Sequence, residues 1–223
     1  MKNKLEILYE DNHLIVVVKP INILSQSDIT KDPDMLTLVK DYIKEKYHKP
    51  GNVYLGLVHR LDRVTGGIMV FARTSKAAKR LSQEIQNHTL KKTYLAVIPN
   101  LKQKEGTLIN YIKKEKDGMS IITDEKNGKY AKLDYKTIAK KDIYSLVEIN
   151  LETGRHHQIR VQFKNIGSPL YGDQRYGEEN NKQICLFAYK LEFAHPVTKE
   201  ELIFKKIPNY SKFKDFKEEL DEK

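Results

Sequence analysis

The stretch Leu57–Arg73 reads LVHRLDRVTGGIMVFAR, and the rest of the chain is organised around it. It places one carboxylate, Asp62, between Arg60 and Arg63, just ahead of a Thr65-Gly66-Gly67 break and an apolar strand-like run from Ile68. The flanking guanidiniums favour the ionised form, and the break puts the carboxylate on a loop surrounded by positive charge. A carboxylate so placed can act as a nucleophile. On an isolated Arg-Leu-Asp-Arg, the alternative is an ordinary ion pair on a turn.

Outward from this stretch, 223 residues are enough for one large domain or two small ones with a full core. The formal net charge of +10 favours an acidic polymer or surface as partner, although free use of Lys alone can produce it. The single cysteine, Cys185, excludes an intramolecular disulfide, and no Cys cluster has zinc-ligand spacing, so a reducing, cytoplasmic setting is expected. The N-terminus has no apolar signal region, and Leu14 to Val18 is too short to span a bilayer.

In chain order, Ile7 to Tyr9 and Leu14 to Val18 read as two strands around a polar turn, ended by Lys19-Pro20. Asp32 and Pro33 announce a helix, as a capping side chain and a first-position proline, with Leu36, Val39, Ile43 and Tyr47 on one face. Thr74 is expected to cap a second helix, whose Ala77, Ala78, Leu81 and Ile85 form a core stripe. Lys76, Lys79 and Arg80 fall off that stripe, either as a solvated face or as phosphate contacts. Lys91 to Val97 is strand-like. The polar stretch from Lys102 to Lys129 is expected to be a mobile hairpin or a flap facing the acidic partner, with one strand candidate at Thr107 to Ile112. Lys132 to Ala139 and Ser145 to Leu151 alternate as paired strands, as do Leu186 to Phe193 and Glu201 to Ile207 across a proline turn. A final helix over about 211–221 would bury Phe213, Phe216 and Leu220.

A second concentrated motif is Glu152-Thr153-Gly154-Arg155-His156-His157-Gln158-Ile159-Arg160, followed by Gly167 to Asp173 and Tyr176-Gly177. Ile159, Phe163 and Ile166 recur at helical spacing and Gly167 can end the helix, so Arg160 is expected to project from a short helix. The paired histidines invite a metal reading. Adjacent helical residues face different directions and no third ligand sits at the right spacing, so none is assigned, and His157 is expected to support the loop by hydrogen bonding.

Together these motifs resemble the RluA family of RNA pseudouridine synthases. His59-Arg60-Leu61-Asp62-Arg63-Val64-Thr65-Gly66-Gly67 is similar to its H-R-L-D-x-x-T-S-G signature, with Gly66 in place of the usual Ser. Lys92, Tyr94 and Ala96 resemble its K-x-Y-x-A pattern, Thr153 to Arg160 its T-G-R-x-H-Q-I-R segment, and Gly167 to Gly177 its G-x-P-h-x-G-D-x-x-Y-G continuation. Asn22 stands where a Gly is usual, Gln162 where many members carry His, and Phe187 where the family often has His.

The resemblance covers about residues 7–208 and implies a single catalytic domain over 1–223, without an S4 domain. The implied class is α+β, with a mixed, mostly antiparallel central sheet flanked by helices and loops around an active-site cleft. It implies an isomerase that converts uridine to pseudouridine in ribosomal or transfer RNA, with no cofactor and no metal. By resemblance Asp62, Tyr94 and Arg160 are catalytic: Tyr94 stacks on the target base and acts as a base in the reaction, and Arg160 pairs bidentately with Asp62. His59, Arg60, Thr65, Lys92, Arg155, His157 and Gln158 are implied substrate contacts, with Arg60 filling the place of an extruded base. Attack of Asp62 on the sugar, attack on the base, and promotion of elimination all stay open.

The expected partner is an RNA stem-loop, with neither membrane nor DNA, for a monomeric cytoplasmic protein. The alternatives are a non-catalytic RNA-binding or ribosome-assembly protein on the same scaffold, or a hydrolase. The first would be expected to lose Asp62, Tyr94 or Arg160, and the second would call for paired carboxylates or a metal cluster.

Overall fold

A computed structural model describes residues 5–178 and 182–223. In chain order the first elements are β1 (Glu6–Glu10), β2 (Leu14–Lys19), α1 (Met35–Lys46), β3 (Gly56–Leu57), β4 (Gly66–Ala72) and α2 (Ser75–Gln86). Then come β5 (Lys91–Pro99), β6 (Glu105–Lys114), β7 (Ser120–Thr123), β8 (Lys129–Lys141), β9 (Tyr144–Leu151) and α3 (Gln158–Asn165). The chain continues through β10 (Leu186–Ala194), β11 (Glu201–Lys205), a 3₁₀ segment (Ser211–Phe216) and α4 (Lys217–Asp221). The class is α+β, with strands mostly antiparallel and few helices. The chain forms two compact units, Met1–Leu90 with Lys190–Lys206, and Lys91–Tyr189 with Ile207–Lys223.

In the first unit the strand order is β1-β2-β4, continuing into the end of β10, with β3 also on β4 and β11 on β10. Every residue of β2 and β4 is buried, which is why both read as continuous apolar runs rather than as alternation. Leu14, Val16, Ile68, Val70 and Ala72 meet Ala77 and Leu81 of α2 in one core cluster. The Thr74 side chain accepts from the Ala77 amide at 3.1 Å, the expected N-cap. The cap of α1, in contrast, is Asp34, which accepts from Thr37 N at 3.0 Å. Asp32 and Pro33 lie outside that helix, and Asp32 pairs with Arg63 at 2.7 Å instead. Tyr47 is exposed rather than core, its hydroxyl donating to Glu10 at 2.7 Å. Arg80 is also committed internally, donating to the Pro196 carbonyl at 2.6 Å, while Lys76 and Lys79 are exposed. His195 Nδ1 accepts from Thr198 N, so its Nε2–H is the donor to Asp11 at 2.8 Å, fixing the β10–β11 turn against the β1–β2 turn.

In the second unit the order is β5-β9-β8-β6-β7, with the start of β10 beside β5. The stretch expected to be mobile or flap-like contains a regular antiparallel hairpin, β6 and β7, paired from Tyr111↔Thr123 to Lys114↔Ser120. The β8–β9 turn falls at Asp142 and Ile143, with Asp142 at φ +53°. Phe213, Phe216 and Leu220 are buried as their spacing requires, although the first two sit on the 3₁₀ segment and only the last on α4. Among the described residues, no helix is long and apolar enough to cross a membrane.

Candidate active site

Asp62 is half-buried, on the loop between β3 and β4. Its carbonyl accepts from the Thr65 amide at 3.0 Å, so the turn is Asp62 to Thr65; Gly66 and Gly67 already belong to β4 rather than to the break expected there. Gly67 has φ +129°, a backbone that glycine alone adopts without strain, and it pairs in register with Lys19. The residues on both sides of Asp62 are fixed. The Ser25 hydroxyl donates to Leu61 O at 2.7 Å and accepts from Leu61 N at 3.0 Å. On the other side, Lys19 Nζ donates to Arg63 O at 3.0 Å, to Ile23 O at 2.6 Å and to Pro20 O at 2.9 Å. Asn22, between two of these carbonyls, takes φ +64°, which Asn tolerates in the position where a Gly is usual.

Lys19 is wholly buried. Burial pushes its ammonium down to about 7, Asp62 acts to raise it, and Arg63 lowers it further. Three carbonyl acceptors match the three N–H donors of the charged form.

The other residues expected around Asp62 differ in what they do. His59 Nε2 accepts from the Val70 amide at 3.0 Å and so fixes the loop to β4. Arg60 is exposed. Thr65 is buried and its Oγ1 has no hydrogen-bond partner among the described residues, a buried donor and acceptor that is costly unless something satisfies it.

In the second unit Tyr94 lies on β5, opposite Ile149 of β9, and is 7% exposed. Lys92 shares its sheet face by the two-residue period. A Cβ added at Gly154 would come 3.4 Å from Lys92 Nζ, so this amine is brought against the Thr153-Gly154-Arg155 loop. Burial pushes the Lys92 ammonium down. Gln158 braces that same loop: its Oε1 accepts from Thr153 Oγ1 at 2.8 Å and Arg155 N at 3.0 Å, and its Nε2 donates to Lys132 O at 3.1 Å. Arg155 is exposed and its Nε donates to Tyr130 O at 2.7 Å.

Arg160 projects from α3 as expected. Its bidentate partner within this unit is Asp173, a residue quoted in the sequence motif without a role: Nε reaches Oδ2 at 2.8 Å and Nη2 reaches Oδ1 at 2.7 Å. Oδ1 also accepts from the Arg175 and Tyr176 amides at 3.1 and 3.2 Å. The guanidinium carbon lies 5.1 Å from the Tyr176 ring centroid.

His156 and His157 precede α3 rather than diverging on it. His157 takes φ +52° at the N-cap, and the two rings stack at 3.8 Å, contrary to the divergence expected. Its Nδ1 is 2.9 Å from the Tyr176 hydroxyl, the loop-supporting bond expected. Burial, then Arg160, His156, Arg175 and Lys114, push His157 down to about 3. Among the described residues, no group of three His, Cys, Asp or Glu could hold a metal ion.

A carboxylate on a doubly fixed loop is suited to covalent or acid–base work at a polar substrate. The sequence profile of the family described as RNA pseudouridylate synthase matches residues 13–165, which include Asp62, Tyr94 and Arg160. The chain belongs to this family. Its members are isomerases that convert uridine to pseudouridine in RNA.

The chain is 37% identical over 212 residues to the RNA pseudouridine synthase YhcT of Bacillus subtilis, covering 92% of this chain and 68% of that one. It is 31% identical to ribosomal large subunit pseudouridine synthase D of Nitrosomonas europaea, of which it spans 61%. It is 30% identical to tRNA pseudouridine synthase C of Vibrio parahaemolyticus, of which it spans 89%. The fold matches human RNA Pseudouridylate Synthase Domain Containing 4 with a TM-score of 0.78 at 22% identity, over 97% of this chain and 93% of that one.

Proposed function

We propose that this pseudouridine synthase acts on a uridine in a stem-loop of ribosomal or transfer RNA, with Asp62 as the carboxylate that works on the target nucleotide. The observation that carries this reading is the Asp62 loop itself, fixed at Leu61 by Ser25 and at Arg63 by Lys19, in a chain whose family match spans it. Such bracing keeps a reactive carboxylate in one geometry through the reaction.

The reaction breaks the bond from uracil N1 to ribose C1′, turns the base, and joins C5 to C1′. The proton lost from C5 is balanced by the one gained at N1, so no outside group or electron is needed. Tyr94 provides the ring against the base and Arg160 the cation that serves the Asp62 carboxylate. Arg60 and Arg155, both exposed, and Lys92 are the side chains offered to the RNA. Gln158, His157 and His59 act by bracing the loops that carry the others.

The net charge of +10 supports binding through the phosphates. Affinity then falls steeply with salt, while the choice of uridine depends on loop shape. The names of the relatives support both RNA classes, since synthase D is named for the large ribosomal subunit and synthase C for tRNA.

The test is chemical mapping of pseudouridine in total RNA from cells with and without the gene, repeated with purified protein and a short stem-loop around the mapped site. Asp62→Asn is expected to abolish product while leaving RNA affinity nearly unchanged. Substantial single-turnover activity in that variant would overturn the assignment.

A further inference from the structure

The hairpin β6–β7 reaches the helix that carries Arg160 by two independent routes. The first is apolar: Ile112 of β6, Ala131 of β8, Val161 of α3 and Tyr176 form one buried cluster, on which Met119 and Ile122 of the hairpin pack. The second is a directed hydrogen bond. Ser120, the first residue of β7 and 1% exposed, donates its amide to the Tyr176 hydroxyl at 2.6 Å. That oxygen is thereby an acceptor, and it also lies 2.9 Å from His157 Nδ1. The Ser120 side chain adds a third tie, its Oγ donating to the His156 carbonyl at 2.7 Å.

The Tyr176 ring, held by these bonds, lies under the Arg160 guanidinium, whose edge is taken by Asp173. Asp173 fixes the fork in its plane, and the ring fixes the face of that plane. We infer that the β6–β7 hairpin is a positioning element for Arg160, acting through the bond from the Ser120 amide to the Tyr176 hydroxyl. Tyr176 is a positioning residue in this scheme, and the hairpin belongs to the reaction. The inference rests on the role given to Arg160 above.

The experiment combines two substitutions. Tyr176→Phe keeps the ring and removes only the hydroxyl. Gly118→Val strains the hairpin turn at a residue with φ +80°, away from Arg160 in sequence. With a stem-loop carrying the unmodified target uridine as substrate, Tyr176→Phe is expected to slow the single-turnover rate about tenfold while RNA affinity stays within about twofold. Gly118→Val is expected to slow the wild type but to add nothing in the Tyr176→Phe background. A wild-type rate in Tyr176→Phe, or two losses that multiply in the double variant, would overturn the inference.

Hydrogen exchange at Arg160 Nε–H, assigned by its disappearance in Arg160→Lys, gives a readout that needs no activity. Faster exchange in Tyr176→Phe supports the positioning role, and unchanged exchange refutes it. A wild type that makes no pseudouridine in any RNA would count against the proposed function, while the exchange measurement would still judge the hairpin.

Discussion

Arg160 donates to both carboxylate oxygens of Asp173, and the two side chains are buried to 5% and 0% exposure. An ion pair so removed from water gives little net stability over an apolar pair, but breaking it leaves an uncompensated charge. The Arg160 geometry therefore depends on Asp173. Asp173→Asn, which keeps the shape and the acceptor for the Arg175 and Tyr176 amides, is expected to cost about 3–5 kcal/mol in urea denaturation. Arg160→Leu combined with Asp173→Asn should recover part of that stability and none of the activity. Equal stability of Asp173→Asn and wild type would show that the pair carries no such dependence.

Much of this was legible in the sequence, and the reasons are local. Helix α2 was readable because Thr74 and the Ala77–Leu81 stripe act within one or two turns, and β2 and β4 because a strand buried on both faces is a continuous apolar run. The start of α1 was misread because Asp32 and Asp34 both flank Pro33, and composition does not say which carboxylate meets the Thr37 amide.

The supports of the site left no periodic trace. Ser25 meets Leu61 across 36 residues of chain and Lys19 meets Arg63 across 44, and neither contact alters the pattern around it. The paired histidines were assigned to a helix from spacing. The positive φ at His157 places them in the turn before it, where stacking is geometrically open.

Lys19→Met keeps the apolar stem and removes the donors to three carbonyls, so the Asp62 loop should loosen. Its single-turnover rate is expected to fall about tenfold or more. The pH dependence has a definite sign. With a folded pKa of about 7 against an ordinary 10.5, the unfolded chain binds more protons between those values. Wild-type stability should therefore rise from pH 7 toward pH 10 relative to Lys19→Met, by at most about 1.4 kcal/mol per pH unit. Urea midpoints of both proteins at pH 7 and 9.5 check this, and a constant difference between them would contradict it.

His157 makes the opposite end of the pH range informative. Its folded pKa of about 3 lies below the ordinary 6.5, so the unfolded chain takes up the proton first as pH falls. The stability associated with the neutral ring is fully present above 6.5 and is lost progressively toward 3, by about 2 kcal/mol between pH 6.5 and 5. His157→Asn should flatten this part of the stability curve. Denaturation at pH 7, 6 and 5 measures it, and parallel curves for the two proteins would mean that His157 titrates normally.

Thr65 allows a test in which stability and function move in different directions. Its hydroxyl is buried with no hydrogen-bond partner among the described residues, whereas its amide is used by the Asp62 carbonyl. Replacing the hydroxyl by a methyl in Thr65→Val leaves the backbone bond and the volume in place. An unsatisfied buried hydroxyl costs about 1–3 kcal/mol, so the variant should be as stable as the wild type or more stable by about 1 kcal/mol. A hydroxyl retained at that cost is expected to serve the bound nucleotide. Single-turnover pseudouridine formation in Thr65→Val should accordingly fall about tenfold, with the thermal midpoint unchanged or raised. A variant that is destabilised, or that keeps the wild-type rate, would show that the Thr65 hydroxyl has no partner in the substrate.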